Sequence, residues 1–207
     1  MPTSTPERTD RRRRGTREAI LEHAIDVARA EGLKSLTIGR LAAGMQMSKS
    51  GLFRHFGSKE ELQLATVEAA GRIYLEEIVQ PALEVPAGRQ RLEALLERYL
   101  THLEQQSSAG GCFWAGSAAE FDDWPGPVRD RIRQMVGAWV SLMAQEAESA
   151  GAEDPEQLAF ELHSMVMGAN LRAQLLGDPS AFSRARAAIR RFLRWSSLPF
   201  AVRGSSS

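Results

Sequence analysis

The chain predicts an all-α fold of about nine helices, on three observations. Apolar residues recur at i, i+3, i+4 and i+7, most cleanly at Leu92, Leu95, Leu96, Tyr99, Leu100 and Leu103, the spacing of one helix face. Side chains suited to capping helix N-termini stand just ahead of such stretches: Thr37, Ser48, Ser58 and Asp154. Helix breakers lie between them, at Gly32, Gly44, Pro81 and the run Pro125, Gly126, Pro127. The predicted organisation is a disordered basic arm at 1–15, a three-helix module with a helix-turn-helix at 16–64, a larger helical domain at 65–199 and a tail at 200–207.

The arm is rich in Pro, Thr and Arg and nearly free of apolar residues, a composition that buries too little to fold. Its run Arg11 to Arg14 is either a solvated tail or a set of cations laid along phosphates or into a minor groove. A first helix over 16–30 presents Ile20, Ala24, Val27 and Ala28 on one face and stops at Gly32. Thr37 caps a short second helix over 38–43, and Ser48 caps a third over 49–55. Ile38, Leu41, Leu52 and Phe56 turn one side of that pair inward, leaving Lys49, Ser50, Gly51, Arg54 and His55 largely outward. A short polar and basic helix of this kind enters a major groove about 12 Å wide, its N-terminal residues near base edges. Ser58 and Glu61 have the spacing of a capping box at the head of a fourth helix reaching Gln80. Lys59 then sits at a helix N-terminus, where it is either a solvated lysine or half of a phosphate clamp with the first-turn amides.

The motif L-T-x-x-x-L-A from Leu36, a turn, and S-K-S-G-L-F-x-H-F-x-x-K-E-E-L from Ser48 resemble the N-terminal domain of TetR-type transcriptional repressors, over about residues 17–64. Two positions depart from that pattern: Gln46 stands where the family has a turn glycine, and Ser50-Gly51 where it has Gly-Thr. Phe53 replaces a usual Tyr. The resemblance implies a homodimer that binds a palindromic double-stranded operator and is released by a small-molecule effector. On the matching positions it implies a DNA-binding set that includes Ser48 and Gly51, with Lys49, Ser50 and Arg54 in the groove and Thr37, Phe53, His55 and Lys59 holding the backbone or the module.

Charge supports a DNA-binding head on a separate body. Residues 1–59 hold twelve Lys and Arg against six Asp and Glu, and the remainder fourteen against twenty, giving +6 and −6. A basic head on an acidic body fits phosphate binding confined to one end.

Beyond Pro86 the pattern stays helical. A helix bearing the Leu92 to Leu103 stripe, a loop at 107–111 and a short helix over 112–123 precede the Pro-Gly-Pro break. The next helix, 128–149, carries Ile132, Met135, Val136, Trp139, Val140 and Met143. Asp154, Pro155 and Gln157 open another, which runs to about Leu176. It is apolar on more than one face: Leu158, Leu162, Met165, Val166 and Ala169 form one stripe, with Met167, Leu171 and Leu175 outside it. A last helix follows Asp178-Pro179. An apolar circumference that wide needs two partners, so the last two helices are expected to pack on the body and on a second copy, through Leu171, Leu175, Phe182 and Ile189. Phe113, Trp114, Phe121, Trp139, Met143 and Met167 are expected around an effector, with His163 and Asn170 as its polar contacts.

No nucleophile elbow, phosphate loop, dinucleotide fingerprint or zinc-helix motif is present, so no enzyme is expected. His and carboxylate spacings suit no metal, and no cofactor is expected. The single Cys112 excludes an intramolecular disulfide; it is a buried small side chain or a redox sensor. With no apolar run near the roughly 20 residues of a membrane span and no secretory h-region, a cytoplasmic protein without membrane contact is expected.

Overall fold

The computed structural model describes residues 6–107 and 110–195. Its elements are α1 (Pro6–Glu31), a 3-10 turn (Leu33–Ser35), α2 (Ile38–Gly44), α3 (Lys49–Phe56), α4 (Lys59–Tyr74), a π-helical turn (Leu75–Val79), α5 (Gln80–Leu83), α6 (Arg89–Gln106), α7 (Phe113–Phe121), α8 (Pro127–Ser149), α9 (Pro155–Leu176) and α10 (Ala181–Trp195). With 59–83 counted as one continuous rod, the described residues hold nine helices and no strand.

Two boundaries differ from the sequence reading. The predicted arm is helical from Pro6 onward, ten residues ahead of Thr16; residues 1–5, like the tail 200–207, lie outside the described residues. Proline is tolerated in a first helical turn and arginine is a good helix former, so a run lacking apolar periodicity still continues α1. The second difference is at Pro81, which was expected to end the fourth helix at Gln80 but lies inside α5. Proline has no N–H and its ring crowds the carbonyl four residues back. The turn ahead of it is widened, with the Gln80 N–H donating to Leu75 O, the five-residue step of a π-helix.

The chain forms two compact units. Of the described residues, the first comprises those up to Gln80 with those from Gln105 to Ala138, and the second Pro81–Glu104 with those from Trp139. The first is built on α1. Its buried Ile20, Leu21, Ala24, Ile25, Val27 and Ala28 share one core with Leu41, Leu52 and Phe56 of the short helices, Leu62 and Val67 of α4, Phe113 and Phe121 of α7, and Val128 and Ile132 of α8. Leucines buried as fully as Leu41 and Leu52 contribute about 1.5–3 kcal/mol each. Gly44 ends α2 against α1: a β-carbon there would lie 2.6 Å from Nε2 of His23.

In the second unit the whole α6 stripe from Leu92 to Leu103 is buried, alongside Met143, Leu162 and Val166. Arg91 joins three segments. It donates to Val85 O at 2.9 Å and pairs with the buried Glu146 at 3.1 Å, which accepts the Gly88 N–H at 2.7 Å. Arg186 of α10 likewise grips α6 through Glu97 (2.6 Å) and Glu104 (2.9 Å).

Candidate nucleic-acid interface

The helix-turn-helix is assembled from local hydrogen bonds that the sequence announces. Thr37 Oγ1 accepts the Arg40 N–H at 3.1 Å, Ser48 Oγ the Gly51 N–H at 3.1 Å, and Ser58 Oγ the Glu61 N–H at 3.0 Å. Each satisfies one of the unpaired amides of a helix start. The expected capping box at Ser58 is half made: the Ser58 N–H donates to Phe56 O at 2.7 Å. Between α2 and α3, Met47 N–H closes the turn on Ala42 O at 2.9 Å. This forces Gln46 to φ +54°, the only non-glycine with positive φ among the described residues.

Leu52 and Phe56 anchor α3 from below, and Arg17 of α1 stacks its guanidinium over the Phe56 ring at 5.2 Å. The opposite face is open. Lys49, Ser50, Phe53 and Arg54 are exposed, while Gly51 and His55 are half-buried. Phe53 keeps 56% of its surface exposed, so it does not hold the helix down; a large aromatic there is available to a partner. Lys49 lies across α2, where a β-carbon on Gly39 would touch its Cε at 3.4 Å. Ser50 Oγ stands 3.3 Å from Ser48 Oγ.

Lys49 and Lys59 both occupy the first position of a helix, where the positive end of the helix dipole disfavours a cation. The first-turn amides of a helix favour an anion there instead. Lys59 is also tethered: its Nζ donates to Lys34 O at 2.6 Å. Within the module, Arg40 of α2 forks onto Glu31 at the end of α1. The hydrogen bond from Arg40 holds the Glu31 carboxyl below its ordinary range. Neither Arg17 nor this pair was legible in the sequence, since nothing local marks a contact between separate helices.

The residues expected around an effector fall in both compact units. Phe113 and Phe121 belong to the first unit's core, packed with α1, and Trp114 packs at its edge with its ring against Phe113 at 5.2 Å. Trp139, Met143, His163, Met167 and Asn170 belong to the second. There the Trp139 ring meets Tyr99 edge-on at 5.2 Å and Met143 is fully buried. Burial pushes the His163 imidazole below its ordinary pKa. His163 Nδ1 and Asn170 Oδ1 are both buried and meet no hydrogen-bond partner among the described residues.

Of the residues expected between subunits, Leu171 and Leu175 of α9 are 59% and 74% exposed. Phe182 and Ile189, also expected there, are buried within the chain, because they share the face of α10 that packs inward with Ala185 and Leu193. Cys112 is buried and caps α7, its Sγ accepting the Ala115 N–H at 3.4 Å. Among the described residues no helix is long and apolar enough to cross a membrane, and no group of three or more His, Cys, Asp or Glu is placed to hold a metal.

A capped helix pair with one buried and one basic face defines the class, a helix-turn-helix protein with a helical body. Two family profiles match the chain, "Bacterial regulatory proteins, tetR family" at residues 20–66 and "Tetracyclin repressor-like, C-terminal domain" at residues 88–189. The chain belongs to the TetR family of transcriptional regulators, a family of regulators rather than enzymes. It is 34% identical over 86 residues to the HTH-type transcriptional regulator TcmR of Streptomyces glaucescens, a match covering 41% of this chain and 36% of TcmR's length. SCO4454, a TetR-family regulator from Streptomyces coelicolor, has a TM-score of 0.77 at 23% identity over 88% of this chain and 97% of its own. A TetR regulator from Chloroflexus aurantiacus has a TM-score of 0.78 at 23% identity, over 89% and 96%.

Proposed function

We propose that the protein is a sequence-specific transcriptional repressor that binds a palindromic operator as a homodimer and leaves it when a small apolar or amphipathic molecule binds. The observation that carries this reading is α3, whose one face is sealed by Leu52 and Phe56 while Lys49, Ser50, Phe53 and Arg54 stand free on the other. Lys49, Ser50 and Arg54 read base edges; Thr37, Ser48, Gly51, Phe53, His55 and Lys59 position the module on the backbone. Two-fold pairing supplies the second half-site, and the exposed Phe160, Leu171, Leu175 and Leu176 of α9 are the surface that would be covered. Such a regulator works beside the chromosome, in the cytoplasm.

For the effector, His163 and Asn170 are the polar contacts. A buried polar atom left unpaired costs about 1–3 kcal/mol, so a ligand that offers hydrogen bonds to Nδ1 and Oδ1 is favoured by relieving that cost. Trp139, Met143 and Met167 of the same unit supply the apolar contacts.

Selection of binding sites from random duplexes tests the reading. An inverted repeat should emerge, and Lys49→Ala should relax preference at one base position, costing about 1–3 kcal/mol where the lysine pairs with guanine. A screen of small apolar compounds should then find one that releases the selected duplex. Selection without any enriched repeat overturns the operator reading; an enriched repeat that no compound releases leaves a constitutive DNA-binding protein in its place.

A further inference from the structure

The connector between α1 and α2 is gripped on consecutive backbone groups by side chains from two other helices. From α4, Gln63 Nε2 donates to Leu33 O at 2.8 Å, and Lys59 Nζ, one turn earlier, donates to Lys34 O at 2.6 Å. From α7, Glu120 Oε2 accepts the Lys34 N–H at 2.7 Å. The amide joining Leu33 to Lys34 is thus held at both ends, its carbonyl by Gln63 and its N–H by a carboxylate, and each bond polarises the other. Gly32 makes room for this: at φ +89° it ends α1, and a β-carbon on it would overlap the Glu120 carboxylate. The Lys34 ammonium is fastened to the same part of the chain, 5.3 Å above Phe121 and 5.0 Å above Trp124.

The end of α7 therefore fixes where the connector sits, and a connector carbonyl takes one of the three protons of the Lys59 ammonium, leaving two for an acceptor outside. A lysine on a flexible stem loses its freedom on binding a phosphate; one already tethered has lost part of it beforehand. We infer that Glu120 is a positioning residue for DNA binding, which acts through the Leu33–Lys34 backbone to aim Lys59 at a phosphate. This rests on the DNA-binding reading above. It makes the end of α7 a place where a change in the body alters affinity for all DNA sequences alike.

The test compares the full chain and its variants on the selected operator and on a random duplex of equal length, by fluorescence anisotropy between about 50 and about 200 mM salt. Lys59→Ala should weaken both duplexes by about fivefold and lower the salt slope by about 0.9 for each phosphate the protein no longer neutralises. Glu120→Ala should reproduce both effects without altering the preferred sequence. The double variant should bind no more weakly than Lys59→Ala alone. Glu120→Gln, whose amide oxygen still accepts the Lys34 N–H, should bind as the natural chain does. Lys34→Ala, which keeps both backbone bonds, should preserve the salt slope. If Glu120→Ala does not fold, Glu120→Asp, with an arm one methylene shorter, carries the same comparison.

Affinity decreases that multiply in the double variant, or a Glu120→Ala salt slope equal to that of the natural chain, overturn the assignment of Glu120. A natural chain that binds neither duplex instead overturns the DNA-binding reading itself.

Discussion

The backbone carbonyl of Arg29 lies directly against the α-carbon of Gly110, and the guanidinium of the same arginine donates to Gly111 O at 3.2 Å and Gln106 O at 3.1 Å. The loop ahead of α7 is thereby locked onto the end of α1. Gly110 adopts φ +93°, and a β-carbon on it would overlap the Arg29 oxygen and lie 2.6 Å from its carbonyl carbon. Both obstacles are backbone, so neither can swing aside. Gly110→Ala should destabilise the protein by about 3 kcal/mol, combining strained dihedrals with overpacking. Gly137→Ala is the control, since a β-carbon there meets nothing within 4 Å and should stabilise α8 by up to about 1 kcal/mol. Urea unfolding reads both; equal effects at the two positions would contradict the packing described.

Gln46 carries the left-handed turn of the helix-turn-helix at φ +54°. That conformation costs a side-chain-bearing residue about 1–2 kcal/mol, and glycine returns about 0.4–1 kcal/mol of the gain through its freer unfolded chain. Gln46→Gly should therefore raise stability by about 0.5–1 kcal/mol without changing the selected operator. Urea unfolding and binding-site selection check the two halves separately, and a loss of stability would show that the glutamine side chain holds the turn in another way.

Leu171 and Leu175 expose most of their surface on α9. If that face pairs with a second copy, Leu175→Glu should weaken dimerisation by at least about 2 kcal/mol, roughly thirtyfold, and operator affinity with it. Sedimentation velocity over a concentration series measures this. A natural chain that stays monomeric at micromolar concentration, yet binds its operator tightly, would dismiss the two-fold arrangement.

Asp178 sits in the turn between α9 and α10. Its carboxylate accepts the Ser180 hydroxyl at 2.6 Å, the Ser180 N–H at 2.9 Å and the Arg172 guanidinium at 2.9 Å. Those hydrogen bonds, Ser180's first, hold its pKa at about 2 against an ordinary 3.8. Because the folded value is the lower one, the unfolded chain takes up the proton first as pH falls. The stabilisation is complete above about pH 4 and fades as pH drops towards 2. The stability difference between the natural chain and Asp178→Asn should shrink over that window, and an NMR titration of the Asp178 carboxyl should place its midpoint near 2. A midpoint near 4 would mean that the turn is not closed in solution.

What the sequence disclosed was mostly local. The α6 stripe is buried at every position predicted, and Thr37, Ser48, Ser58 and Asp154 each cap the helix they precede. Such features depend on residues three or four apart. Amphipathicity told that Phe182 and Ile189 would be covered but not by what, and the protein covers them with its own body. Glu120 and Lys34 stand 86 residues apart, and no spacing rule joins a carboxylate to a distant amide. The arginine run in α1 has helix propensity without an apolar period, so composition pointed away from the helix that forms.

The π-helical turn at Leu75–Val79 bears on how this chain should be compared with its relatives. A π-turn takes up one residue more than an α-turn, so a relative whose corresponding helix is uninterrupted carries one residue fewer there. The gap then belongs inside a continuous helix, close to Pro81, rather than in the following loop. An alignment that moves it into the loop displaces by one position every residue between the turn and that loop, matching inward-facing side chains to outward-facing ones.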